Sequence, residues 1–453
     1  MSLTLQLAKI TLPTLFLTAL GGTHYLMSKN GTMDLISTSI RAKKLPGTNK
    51  TLRTRWTGIK RIDNLLSLFV LFFMPLVDYK TPGLSMHGLH FGGQLASYWI
   101  LVVIESFRLG NRGRAVALMS FWGLFGELLG VALAMPMFCF VHLFTSPTVA
   151  AQSLSFFTIS EKDLMILPWS TALGHFVPII AGMSTRSSVT TPIWKSKQFW
   201  LVARLFHPVF TALIHFVLSQ VLSDPAPSAG GSQMRDLQAM YDLATYVAIV
   251  PHLATMSVSL LSQLGPGVFA PKYPEFFNPI KVFVPTPFWS GITKVTSIAE
   301  GAKQFLQWDE LISCSSILVW SWAVNRAGLN GVSGASGNLS TLLRTAAMVV
   351  IGGPAAASVS LLKERDFVLM GNMYDLVSTV VDEANPPTLT TTAEKPTVKL
   401  NPLLDGSEKN FGRLQRRGRR RISVPKYNGL KEEEEDLEPE FSSSYCTGKA
   451  NIA

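Results

Sequence analysis

Nine apolar stretches recur between Leu3 and Leu362, and each has to be kept from water by something. A helix crosses the hydrocarbon core of a bilayer with roughly 17 to 25 predominantly apolar residues. Stretches that meet or approach this length run from Leu3 to Met27, Asp63 to Asp78, Gly92 to Phe107, Ala115 to Thr145, Leu164 to Met183, Phe199 to Leu222, Tyr241 to Leu264, Phe305 to Asn325 and Thr341 to Leu362. The second and third are short, and the fourth is long enough to be tilted or broken near Pro136. Only 15% of the residues are charged, against roughly a quarter in a soluble domain, so water is not the main solvent.

The loops give an independent check, because Lys and Arg gather on the cytosolic side of short loops. Nine basic residues from Lys29 to Arg61 follow the first stretch, whereas Lys80 alone follows the second. Arg108, Arg112 and Arg114 follow the third, Lys162 the fourth, and Arg186, Lys195 and Lys197 the fifth. Arg235 stands after the sixth, Lys272, Lys281, Lys294 and Lys303 after the seventh, Arg326 after the eighth and a basic tail after the ninth. Every odd-numbered stretch therefore ends on a basic side. The expected fold is an all-α integral membrane protein: a bundle of about nine transmembrane helices, within a range of seven to nine, with a lumenal N-terminus and a cytosolic tail. The first stretch exceeds a signal-peptide core and lacks a small-residue cleavage site, so it is expected to be a retained helix.

Two regions are expected, a multispan domain over 1–374 and a tail over 384–453. The tail holds Pro and Thr clusters, the basic run Arg416 to Arg421 and the acidic run Glu432 to Asp436, a composition that predicts disorder. The net charge of +11 suits a membrane surface; a nucleic-acid partner would want a basic helix face interleaved with aromatics, which is missing. Cys139, Cys314 and Cys446 are too far apart for a disulfide framework or a thiolate metal site. The sequons at Asn30, Asn49 and Asn338 lie in a cytosolic loop or beside the membrane and read as chance matches.

An ionisable side chain inside hydrocarbon is costly, so it usually faces a protein interior or a wet cavity. Counting ~1.5 Å per helical residue, Glu127 falls near mid-depth of the fourth stretch, and His175 and His252 near mid-depth of the fifth and seventh. His207 and His215 share a face of the sixth. Asp63 and Asp78 bracket the second stretch, and Glu105 closes the third, where pairing with Arg108 at the membrane edge is the structural alternative. Asp309 and Glu310 are expected near the cytosolic interface, within reach of headgroups. His87 and His90 have a spacing that suits a metal, but no third ligand accompanies them, and no metal is expected.

The phosphate-cradling GxxxxGKS loop, GxGxxG and HExxH are all missing. So are the Asp-rich NDxxD and DxxxD pairs by which membrane prenyltransferases hold magnesium and diphosphate. What remains is a lipid-embedded pocket with isolated carboxyls, histidines and aromatics such as Trp99, Trp122, Phe125, Trp169 and Trp200. A buried carboxyl can protonate an epoxide, and aromatic faces attract the resulting cation. Such a reaction needs no cofactor. The candidate catalytic residues are Glu127, Asp63, Asp78 and Glu105, and the candidate substrate-binding residues are Trp99, Trp122, His175 and His252.

The segments IDNLLSLFVLFFMPLVD, LSMHGLHFGGQLASYWILVVIESFRLGNRGR and FWGLFGELLGVALAMPMFCFVHLFTSPTV are the most distinctive in the chain. From Ile62 to Val149, and more loosely in hydropathy to about Tyr374, the sequence resembles the fungal membrane-bound terpene cyclases of the ascofuranone type. The resemblance implies acid-initiated cyclisation of an epoxidised prenyl chain on an aromatic or polyketide core, in a secondary-metabolite pathway at the endoplasmic reticulum. The implied partners are a lipid-soluble prenylated substrate, the membrane and other membrane enzymes of the pathway. Two other readings stay open. A transporter of a small metabolite or proton would use Glu127, His175, His207 and His252 as a site or relay, although no internal repeat supports it. A membrane scaffold would use the tail as an interaction arm.

Overall fold

A computed structural model describes residues 3–149, 153–185, 192–224, 231–265, 267–332 and 334–384. The expected disordered tail, with Cys446, lies outside the described residues. Helices are α1 (Leu3–Lys29), α2 (Thr32–Ala42), α3 (Lys60–Val77), α4 (Pro82–Phe107), α5 (Met119–Leu129) and α6 (Val131–Thr145). They continue as α7 (Glu161–Ser184), α8 (Lys197–Arg204), α9 (His207–Val221), α10 (Gly231–Leu264), α11 (Tyr273–Phe276), α12 (Pro279–Phe283), α13 (Ile298–Gly328) and α14 (Asn338–Ala384). Among the described residues there is no strand, only an isolated bridge between Lys44 and Thr51.

Among the described residues four helices are long and apolar enough to cross a membrane, over Leu3–Lys29, Glu161–Ser184, Gln233–Leu264 and Asn338–Gly371. The count rises to six if the pairs α3–α4, bent by 103°, and α8–α9, bent by 73°, each form one span. The fourth apolar stretch differs from the expectation: it is two helices, and its break is at Gly130, whose backbone has φ +96°. Pro136 sits inside α6 without interrupting it. A positive φ is open to glycine at little cost, and neither 11 nor 15 residues suffices to span a bilayer alone.

The core is built where α4 passes α10 and where α13 packs on α1, α6 and α14. At the α4–α10 contact a Cβ on Gly93 would come within 2.7 Å of Pro251 and of the Val247 carbonyl, so only glycine lets the two backbones approach this closely. The second glycine break is in α14, at Gly353 with φ +82°. Buried Gln94 of α4 repairs it by donating from Nε2 to the Gly352 carbonyl (3.0 Å) and accepting the Ala355 N–H on Oε1 (2.9 Å). Interrupted helices inside apolar packing need this kind of side-chain repair. Asn30, in the first sequon, is buried and donates to Gln304 Oε1 at 2.9 Å.

Candidate active site

Aromatic and aliphatic side chains from α3, α4 and α10 line a half-open chamber of about 990 Å³, at the upper end of the range for small-molecule sites. Phe72 and Phe73 on α3, Tyr246 on α10 and Phe305 on α13 present rings to it. Its charged and imidazole side chains are Glu127 of α5, His175 of α7, Arg204 of α8, Asp309 of α13 and His24 of α1, with Tyr79, Ser85, Trp200 and Thr255 also on its wall.

Glu127 ends α5 one turn before the Gly130 break and is buried. Its Oε1 lies 3.1 Å from Arg204 Nη1 and 3.3 Å from His207 Nε2. His207 Nδ1 in turn meets His175 Nδ1 at 3.1 Å, so a carboxylate and two imidazoles form a chain that begins and ends on the chamber wall. The Arg204 guanidinium also stacks 4.2 Å from the centre of the Phe73 ring.

Asp309 was expected near a water interface but is buried, and its Oδ1 accepts the Ala132 N–H at 2.6 Å. That amide is free because the Gly130 break begins a new helix, whose first N–H groups have no partner within it. Glu310 is buried as well and points away, to His87 Nε2 (2.8 Å) and His90 Nδ1 (2.5 Å). Neighbours on a helix diverge by about 100°, so this acidic pair serves two different sites.

The other expected residues are placed as follows. Asp63 holds the loop before α3: Oδ1 accepts the N–H of Trp56 (3.1 Å) and of Thr57 (2.7 Å), and Oδ2 accepts the N–H of Gly58 (3.2 Å). Asp78 ends α3, partly exposed, and accepts the Lys80 N–H at 3.0 Å. Glu105 is fully buried against Arg108, Arg365 and His142, well inside the packing that the sequence reading took for a membrane edge. None of these three lines the chamber. Trp99 and Trp122 line a side cavity of about 30 Å³ that shares Glu127 with the chamber, and Trp99 meets His207 edge-on at 5.1 Å. His252 faces His90 Nε2 (2.9 Å) and the Val350 carbonyl (3.0 Å), while its neighbours Pro251 and Thr255 line the chamber.

Asp309 and Arg204 are the residues that sequence reading left out of the site. The available signals were an acidic doublet deep in a long helix and a guanidinium in the apolar run FWLVARLFHPVF. For Asp63, replacement by alanine is expected to lower the thermal midpoint of the membrane-extracted protein, because three loop amides lose their acceptor. Turnover per folded molecule is expected to stay at the wild-type value, and a selective loss of turnover would place Asp63 in the chemistry.

The sequence profile of the CtvD domain matches residues 8–370. The chain is 28% identical to terpene cyclase ctvD of Aspergillus terreus over 74% of its own length and 92% of that protein. It is 29% identical to terpene cyclase ascI of Acremonium egyptiacum over 69% of its length and 79% of that protein. With terpene cyclase janA of Penicillium janthinellum the identity is 27%, over 73% and 86%. No solved structure matches.

Proposed function

The chain belongs to the CtvD domain family, and from that membership we propose that it is a membrane-bound terpene cyclase of fungal meroterpenoid biosynthesis. Its reaction is the acid-initiated cyclisation of an epoxidised prenyl chain, and its place is the endoplasmic reticulum membrane. Nine crossings with a lumenal N-terminus, the orientation that the loop charges favour, are part of this reading. Accessibility of a tag in the Lys43 loop tests it: a lumenal tag would overturn the orientation.

The observation that carries the proposal is a chamber with aromatic walls and carboxyls set into them. Such a chamber can fold a prenyl chain against itself, expose its epoxide to an acid and hold the cation against π faces. Glu127 and His175 belong to this chamber, and Trp99 and Trp122 back the Glu127 side of it. A protein carboxyl as the trigger also accords with the missing Asp-rich diphosphate motifs. The named relatives are terpene cyclases, which favours this reading over a transporter.

Product analysis is the test. Microsomes from a fungal host expressing the chain, fed epoxy-farnesyl phenols, are expected to form a cyclised isomer of unchanged mass. Failure across a panel of related epoxides would sink the cyclase reading and return the transporter.

A further inference from the structure

We infer that Asp309 supplies the proton that opens the epoxide and that His175 Nε2, at the end of the Glu127–His207–His175 chain, takes the proton that ends the reaction. The assignment rests on the cyclase reading above and divides the roles within that chamber.

The division follows from partners. A carboxyl held by a guanidinium is a carboxylate, an acceptor with no proton to give, and Glu127 is held by Arg204 at 3.1 Å. Among the described residues Asp309 has no Lys, Arg or His within ion-pair distance; its carboxyl meets only neutral donors at the start of α6, the Ala132 N–H on Oδ1 and the Val131 N–H. Amide donors hold the carboxyl in place without a cation to ionise it, so this residue of the chamber wall is the one that can carry a proton. Sequence reasoning placed Glu127 among four candidate carboxyls because it lies near mid-depth of an apolar stretch; the arginine that makes it a carboxylate comes from α8.

The imidazole tautomers then follow in order. Ionised Glu127 accepts from His207 Nε2–H at 3.3 Å, which leaves neutral His207 with a bare Nδ1. Bare Nδ1 accepts from His175 Nδ1–H at 3.1 Å, which leaves His175 with a bare Nε2. A proton arriving at that Nε2 creates an imidazolium whose charge is answered through His207 by the Glu127 carboxylate. This is the arrangement of a general base oriented by a buried carboxylate, lengthened by one imidazole.

In the reaction, the Asp309 proton moves to the epoxide oxygen as the C–O bond breaks and its electron pair becomes the hydroxyl's. The alkene π pair of the chain forms the new C–C bond and the cation moves on. It is discharged when a C–H pair becomes a C=C bond, or when a substrate hydroxyl adds and sheds its proton; either proton goes to His175. Asp309 is then one proton short and the chain one proton over. Return of that proton on product release restores both, and the product is an isomer of the substrate.

The experiment compares wild type, D309N, D309E and H175Q in microsomes fed epoxy-farnesyl phenol, scored by accumulation, rate and product ratio. D309N keeps an oxygen for the Ala132 N–H, so the start of α6 is retained, and its rate is expected to fall about 10²- to 10⁴-fold, with partial recovery in D309E. H175Q is expected to consume the epoxide but to spread it over several alkene isomers and a water adduct, a change in product ratio that a merely structural role would not produce. An accumulating D309N with wild-type rate overturns the acid, and an H175Q that gives the wild-type product at the wild-type rate overturns the base. If D309N fails to accumulate, D309E and H175Q decide. A wild type inert on the whole panel removes the cyclase reading itself and the role assignment with it.

Discussion

Replacing Arg108 with methionine is expected to remove the folded protein from membranes before any chemistry can be assayed. Arg108 is fully buried at the end of α4, and its guanidinium is used on every side. Nε donates to Glu105 Oε1 (2.9 Å), Nη1 to the Phe157 carbonyl (2.7 Å), and Nη2 to Asp366 Oδ2 (2.5 Å) and Tyr241 (3.2 Å). Arg365 answers from α14, on Glu105 (2.9 Å) and Asp366 (2.8 Å). Two cations thus balance two carboxylates at a junction of α4, α10 and α14. Removing one member of a buried pair costs about 3 to 5 kcal/mol because the other is left uncompensated, and that is a large share of a protein's total stability. Membrane accumulation and thermal aggregation of the extracted protein measure it. The double variant R108M/E105Q, which loses one charge of each sign, is expected to be less damaged than the sum of its single changes. Wild-type accumulation of R108M with an unshifted midpoint would show that the cluster does not hold these helices.

The same cluster separates stability from chemistry at Glu105. The sequence places a carboxyl three residues before an arginine near the end of an apolar stretch, and a pair at a membrane edge and a catalytic acid fit that pattern equally. Only the arrival of Arg365 and Asp366 from more than 250 residues away identifies a buried four-charge knot. E105Q is accordingly expected to lower the amount of folded protein while the survivors turn over at the wild-type rate, a result that per-molecule activity in microsomes would show or refute.

Other parts were legible because their cause is local. Apolar length announces a helical membrane protein whatever the topology, and a glutamate in the middle of GLFGELLGVALAM has to be partnered inside the protein. Local pattern fails where a third element decides. The fourth apolar stretch holds both a glycine and a proline, and the break falls at Gly130, whose positive φ ends α5, whereas Pro136 merely forgoes one hydrogen bond within α6. Counting depth along a straight span puts Asp309 and Glu310 at an interface, but α13 runs through the packing and buries both. His252 has the mid-stretch position of a substrate contact, yet its ring is turned to His90 and Val350. Rotation about a helix axis is set by neighbours, and the sequence of one helix does not contain it.

Filling the chamber from Gly92 is expected to impair long prenyl chains selectively. Gly92 lies on its wall in the interior of α4, and a Cβ there would meet nothing within 4 Å, so a side chain at this position extends into open space. Replacing an interior helical glycine also removes a conformational cost of roughly 0.5 to 1 kcal/mol, so G92F is expected to accumulate at least as well as wild type. On the proposed cyclase reading its ring takes volume that the isoprenoid tail needs. Since one methylene's misfit in an apolar pocket changes specificity about 10- to 200-fold, a farnesyl substrate is expected to lose at least about 10-fold in turnover while a geranyl analogue loses less. Gly93 is the control: its Cβ would strike Pro251 and the Val247 carbonyl at 2.7 Å, so G93A is expected to lower accumulation without changing the ratio between the two chain lengths. An unchanged farnesyl-to-geranyl ratio in well-folded G92F would mean that the prenyl chain does not lie in this chamber, and the acid and base assigned to its walls would lose their substrate.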